Sequence, residues 1–203
     1  MKHPFPHRIA IFASGNGSNA QRITEYFAKK SIAAVVLIIS NKKDAYVLER
    51  AKILNIPAYC FSKDQFRDGD NILALLREYH IDFVVLAGFL LLIPQKLIQA
   101  FPNAIVNIHP ALLPKFGGKG MYGRHVHEAV IAAKEKESGI TIHFVNEKYD
   151  DGAHILQATC PVTEKDTPHA LAKKIHQLEY KHFPRAIEQV MVGMKGVHFK
   201  LSL

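Results

Sequence analysis

The sequence predicts an α/β fold built on a mainly parallel sheet. Three observations point there. Short apolar runs recur at Arg8 to Ala13 (RIAIFA), Ile32 to Ser40 (IAAVVLIIS), Asp82 to Gly88 and Ala104 to His109. Stretches with helical spacing of apolar residues separate them, and a glycine-rich turn, Ser14-Gly15-Asn16-Gly17-Ser18, joins the first run to the first helix. Uninterrupted apolar runs suit strands covered on both faces, and strands alternating with helices suit a parallel sheet.

Each element has its own signal. The helix expected over 19–30 carries Ile23, Tyr26 and Phe27 at helical spacing, and Ser18 with Gln21 matches a capping box at its start. A helix over 44–54, a short strand over 57–60 and a helix over 64–79 follow. After the strand at 104–109, the Gly- and Pro-rich stretch 110–124 reads as a surface loop, and a helix follows around 125–134. Strands over 139–145 and 154–162 flank a polar loop, 146–152. The last helix starts at Thr167-Pro168, with Thr as N-cap and Pro at the first helical position. Leu171, Ile175, Leu178 and His182 form its stripe, and Pro184 should kink or end it. The basic tail from Gly193 to Leu203 reads as an edge strand or a frayed end.

Composition bounds the function. The chain has 203 residues, 48% of them hydrophobic and 22% charged, which fits one globular domain over 1–203 with a single core. The longest apolar run, Phe83 to Ile93, is well short of the ~18 residues of a membrane span. The N-terminus offers no secretory signal, so a cytoplasmic protein without membrane contact is expected. Cys60 and Cys160 then read as reduced core thiols. The formal charge of +8 favours anionic partners such as phosphorylated metabolites, polycarboxylates or nucleic acid. The blocks Lys42-Lys43 and Lys173-Lys174 are short and lack interleaved aromatics, which fits a solvated basic surface and no nucleic acid. The 12 histidines include no HExxH and no Cys/His ligand spacing. His125 and His127, which could share a face of a strand, lack further ligands, so no metal is expected.

Three stretches carry candidate chemistry. Strand, then Gly15-Asn16-Gly17-Ser18-Asn19, then helix is the arrangement of a phosphate cradle, in which glycines admit the anion and the helix N-terminus binds it. Gly15, Gly17 and Ala20 also satisfy GxGxxA, but the acidic residue of a dinucleotide site is missing from AAVVLIIS. NAD is disfavoured, while Lys42 and Lys43 keep an NADP reading open. In Ile105-Val106-Asn107-Ile108-His109, alternation puts Asn107 and His109 on one face at the carboxyl end of a strand, where open α/β sheets bind ligands. An amide beside an imidazole can stabilise an oxyanion and move a proton. Asp150-Asp151-Gly152 is either an ordinary hairpin turn or a carboxylate that orients a histidine and raises its pKa; spacing does not choose.

Together the segments IAIFASGNGSN (9–19), SNKKDAYVLERA (40–51), DFVVLAGFLLLIP (82–94), VNIHPALLPKFGGKG (106–120), GITIHFVNEKYDDGAHILQA (139–158) and LEYKHFP (178–184) resemble the phosphoribosylglycinamide formyltransferases of purine synthesis. The resemblance implies a formyltransferase fold with a Rossmann-like N-terminal half. It implies transfer of a formyl group from 10-formyltetrahydrofolate, a co-substrate, to the amine of glycinamide ribonucleotide, with no metal. By the same resemblance Gly17, Ser18 and Asn19, within the loop that begins Gly15-Asn16, hold the substrate phosphate, and Glu179 meets the ribose hydroxyls. The catalytic trio falls on Asn107, His109 and Asp150, with protonated His109 and Asn107 stabilising the oxyanion. Folate lies along Leu90, Leu91, Leu92 and Ile93 and against Asn107 and the Asp150 loop, with Lys63 for its acidic tail. Two departures stand out: Leu follows Gly88-Phe89 where many relatives carry Arg, and the loop through Lys119 to Arg124 is longer.

Two other readings stay open. Formyltetrahydrofolate deformylases resemble the same trio but carry an additional N-terminal domain, and only seven residues precede the first strand here. A non-catalytic nucleotide-binding or basic nucleic-acid-binding module fits the charge and the glycine loop, but leaves the Asn107–His109 pair unused. The tRNA formyltransferases add a C-terminal domain that is not expected in this chain.

Overall fold

A computed structural model describes residues 7–193. The elements are β1 (His7–Phe12), α1 (Ser18–Phe27), β2 (Ala33–Ser40), α2 (Val47–Ile53), β3 (Ala58–Cys60), α3 (Lys63–Asp68), α4 (Asp70–Glu78), β4 (Phe83–Leu86), α5 (Gln95–Ala100), β5 (Ile105–His109), α6 (Arg124–Ala132), β6 (Glu137–Phe144), β7 (His154–Pro161) and α7 (Pro168–Gly193). The strands form one sheet in the order β3-β2-β1-β4-β5-β6-β7. β1 to β5 run parallel, and β6 and β7 form an antiparallel extension.

The sheet centre is fully apolar because both faces are covered. Ile9, Ile11, Phe12, Leu37, Ile38, Ile39, Val84 and Val85 are buried. Right-handed crossovers send α1 and α2 to one face and the β3–β4 connection to the other. α7 packs on α1, α6, β6 and β7. Among the described residues no helix is long and apolar enough to cross a membrane.

Several expectations are corrected. The single helix over 64–79 is two, because Gly69 adopts φ 81° and stops α3 before α4 begins. Ser18 and Gln21 form no capping box. The N-cap of α1 is Gly17, without a side-chain cap, and Gln21 instead bonds Glu25 and Arg50. The box forms at Ser62 and Gln65, opening α3. Pro184 does not end α7, which continues to Gly193. Its ring is buried, and the packing of α7 along its length outweighs the lost hydrogen bond. Thr167 does cap that helix, accepting from the Ala170 N–H at 3.1 Å. α5 follows Pro94 and lacked a sequence signal. Cys60 is exposed on β3 and Cys160 half-buried, both free, so neither is a core thiol. His125 and His127 lie on α6, not a strand. The expected edge strand beyond Gly193 lies outside the described residues.

Candidate active site

The strand order reverses between β1 and β4, and such a switch point opens a crevice at the carboxyl edge of the sheet. Phe12, Leu86, Asn107 and His143 are successive neighbours across the sheet. The segments after β1, β4 and β5 therefore emerge side by side around a cavity of about 700 Å³. Gly15 to Asn19, Leu90, Leu91, Lys63, Asn107, His109, Asp150 and Glu179 all line it.

The glycine loop is shaped by α2. Gly17 has φ 76°, and an added Cβ would lie 2.5 Å from Val47 Cγ2. The Val47 N–H donates to the Gly15 carbonyl at 3.1 Å. Arg50 reaches back from α2 and donates to the Asn16 carbonyl (2.8 Å) and Asn16 Oδ1 (2.7 Å), with its guanidinium over the Tyr46 ring. Asn16 thus lines the cavity with its side chain turned to Arg50. The first N–H groups of α1, at Ser18, Asn19 and Ala20, have no acceptor within the helix and suit an anion. Asn19 Nδ2 donates to Glu179 Oε2 at 2.9 Å. Glu179 is 7% exposed, not solvated, and burial raises its pKa to about 7.

Asn107, His109 and Asp150 meet as expected, with His143 completing a quartet. His109 Nδ1 lies 3.4 Å from Asp150 Oδ2, Asn107 Nδ2 3.4 Å from Asp150 Oδ1, and His143 Nε2 3.6 Å from Asp150 Oδ1. The Gly118 N–H donates to Asp150 Oδ2 at 2.9 Å. Burial opposes the charge on Asp150, but the polar groups around it, the Gly118 N–H among them, prevail and hold its pKa below the ordinary value. The carboxylate is therefore ionised.

Proton positions follow from the acceptors. His143 Nδ1 faces the Phe144 carbonyl at 2.8 Å, so it carries the proton. An amide nitrogen can only donate, so Asn107 Nδ2, 3.0 Å from His143 Nε2, is the donor of that pair. One N–H of Asn107 is used there; the other makes only the long Asp150 contact and remains for a ligand. His109 Nε2 faces the Phe116 carbonyl at 2.8 Å and so carries a proton. In the neutral ring, bare Nδ1 then points at Asp150, an arrangement that invites a second proton. The 3% exposure of His109 works against that charge. Burial outweighs Asp150 and the Phe116 carbonyl, and the pKa is lowered. The carboxylate does pull the His109 pKa up, as the sequence suggests, but not enough to bring it above the ordinary value.

A family model described as formyl transferase matches residues 7–187. The chain belongs to the formyl transferase family. It is 45% identical over 190 residues to the chloroplastic phosphoribosylglycinamide formyltransferase of Arabidopsis thaliana, covering 91% of this chain and 65% of that protein. It is 35% identical over 189 residues to the phosphoribosylglycinamide formyltransferase of Bacillus subtilis, covering 91% and 94%. The crystal structure of glycinamide ribonucleotide transformylase 1 from Symbiobacterium toebii superposes with a TM-score of 0.85 at 34% identity, covering 95% of this chain and 90% of that one. The chain spans 65% and 60% of the lengths of the two plant relatives it matches, the second from Vigna unguiculata.

In this formyl transferase chain the segment after β4 is locked in place. Phe89 packs against Phe12 (centroids 5.5 Å apart) and Phe66 (4.7 Å). The Leu90 N–H donates to Ser14 Oγ at 3.0 Å. Phe66 belongs to α3, so the aromatic group also brings Lys63 to the cavity rim. Leu91, Leu92 and Ile93 line a second cavity of about 410 Å³ with Lys63, Arg67 and Tyr149. Lys63, Leu91 and Tyr149 border both cavities, which therefore adjoin.

Sequence reasoning missed His143, Thr141 and Gln157. Buried Thr141 accepts from the Leu113 N–H (3.0 Å) and donates to the Ala111 carbonyl (2.7 Å). Gln157 donates to Leu113 O and Thr141 Oγ1. These bonds pin the loop after His109, which bears the Phe116 carbonyl. His143 had one available signal: alternation along β6 puts it on the face of Thr141. Among the described residues no group of three His, Cys, Asp or Glu is placed to hold a metal ion.

Proposed function

We propose that this chain transfers the formyl group of 10-formyltetrahydrofolate to the amine of glycinamide ribonucleotide. The observation that carries the reading is the quartet itself. Two imidazoles and an amide lie 3.4–3.6 Å from one ionised carboxylate in a cavity that continues to an anion-ready helix N-terminus. Names of relatives at 35–45% identity support it. The adjoining cavity suits folate: apolar walls at Leu91, Leu92 and Ile93 fit a flat aromatic heterocycle, and Lys63 and Arg67 fit an acidic tail.

In this reading 10-formyltetrahydrofolate supplies an activated formyl carbon and a nitrogen leaving group. Backbone N–H groups of Gly17, Ser18 and Asn19 hold the ribonucleotide phosphate, and Glu179 takes the ribose hydroxyls. Asn107 gives its remaining N–H to the formyl oxygen as negative charge develops there. As the amine nitrogen bonds to the formyl carbon, it becomes a stronger acid. His109 takes its proton on Nδ1, and Asp150 stabilises the resulting imidazolium. His109 then returns that proton to the folate nitrogen as the carbon–nitrogen bond to folate breaks. Protons and electron pairs balance, and no covalent enzyme intermediate is required. His109 thus begins as a base, in place of the standing cationic donor expected from the sequence.

The test is an assay of 10-formyltetrahydrofolate with and without glycinamide ribonucleotide. Turnover is expected only with both, and His109→Ala should lower it by roughly 10²–10³ while ribonucleotide binding persists. Formate release without the ribonucleotide would replace the transferase with a hydrolase. A near-normal rate in His109→Ala would overturn the proton path.

A further inference from the structure

Helical spacing turns His125 and His127 to different sides of α6. His125 faces solvent beside Glu128. His127 is 5% exposed and lines the main cavity. Buried ring nitrogens normally have hydrogen-bond partners. Nδ1 of His127 is sealed from solvent and has none. Nε2 is not sealed in this way, so it is the ring nitrogen that meets the cavity. Placing the single proton of the neutral ring on Nε2 leaves only a lone pair buried at Nδ1. Burial, reinforced by His176 and His109, holds the pKa near 4, so the ring is neutral at physiological pH. It has one N–H to give, directed where substrate would lie.

The position narrows the recipient. His109 belongs to the quartet, and His176 lies one helical turn before Glu179 on α7. Both are within electrostatic reach of His127. A ligand gripped by its phosphate at the glycine loop, and presenting an amine to His109, occupies the cavity that this ring lines. An apolar side chain would fill the same space without burying an unpartnered nitrogen, so retention of an imidazole here has no packing rationale.

We propose that His127 is a substrate-binding residue that donates its Nε2–H to an oxygen of the ribosyl-glycinamide segment, between phosphate and amine. The proposal rests on the formyl-transfer reading above.

Calorimetric titration of wild type, His127→Leu and His127→Gln with glycinamide ribonucleotide, and separately with tetrahydrofolate, tests it alongside melting temperatures. Loss of one neutral hydrogen bond should weaken ribonucleotide binding by about 3- to 10-fold in His127→Leu. Tetrahydrofolate binding should hold, and the melting temperature should stay level or rise, because the orphaned nitrogen is gone. His127→Gln, whose amide N–H reaches about as far as Nε2, should recover most of the affinity. Ribonucleotide affinity unchanged in His127→Leu overturns the proposal. So does parallel weakening of both ligands with a lower melting temperature, or a His127→Leu chain that does not fold, since either marks a packing role. Wild-type protein that fails to bind the ribonucleotide would instead overturn the formyl-transfer reading, and this inference with it.

Discussion

Replacing Gly17 with Ala perturbs the glycine loop in two separable ways. The backbone at φ 76° is left-handed, which disfavours a residue with a Cβ by about 1–2 kcal/mol. The new methyl would also lie 2.5 Å from Val47 Cγ2, 2.6 Å from its Cβ and 2.9 Å from its Cα. Rotating the Val47 side chain relieves only the first contact. Moving the Val47 backbone strains its hydrogen bond to Gly15. Overpacking of this kind adds about 1–3 kcal/mol, for a total of roughly 2–5 kcal/mol. Urea unfolding of Gly17→Ala at pH 7 reads the total. The same substitution in a Val47→Gly background removes the Cγ2 and Cβ contacts, and its penalty should shrink toward the conformational part alone. Destabilisation under about 1 kcal/mol, or equal penalties in both backgrounds, would refute the argument that Val47 shapes the loop.

Three further outcomes are expected. The carboxyl of Glu179, raised from 4.5 to about 7 by burial, adds stability fully present below pH 4.5 and lost as pH rises through 7, roughly 3 kcal/mol in all. The stability gained by Glu179→Gln over wild type should therefore grow between pH 4.5 and 7 and then level off; a difference that stays flat in paired melts rejects the buried-acid account. Arg50→Ala removes both bonds to Asn16 and should raise KM for glycinamide ribonucleotide by about tenfold with kcat little changed; a loss confined to kcat would contradict its role in bracing the loop. Asn107→Asp sets a second carboxylate beside Asp150 and removes the remaining N–H donor, so steady-state turnover should fall by roughly 10²–10³ with ribonucleotide affinity retained.

Much of this arrangement is legible from local pattern. The strand–glycine–helix unit, the same-face pair Asn107 and His109, and the acidic turn at Asp150 each have a short-range cause, and the sheet order brings them together. What stayed hidden depends on partners distant in sequence. His143 becomes part of the site only because β6 pairs antiparallel with β5 and sets it opposite Asn107. Glu179 is indistinguishable from a solvated helix glutamate until α7 packs against α1 and Asn19. The downward pull on the His109 pKa is a burial effect, which no spacing records. Ser18-x-x-Gln21 and Ser62-x-x-Gln65 present the same capping pattern, yet only the second forms the box: Ser62 is the N-cap of its helix, whereas α1 is capped by Gly17 and Gln21 bonds Glu25 and Arg50.

The reversal of strand direction after β5 gives the molecule a division of labour. The parallel part, from β1 to β5, carries the glycine loop and, on its last strand, Asn107 and His109. The hairpin of β6 and β7 delivers His143 on one arm and Asp150 at its bend, so it supplies the polar partners of those two residues. The hairpin is a single contiguous piece of chain. Exchanging that piece between family members would therefore change what surrounds His109 while leaving the imidazole itself to the host.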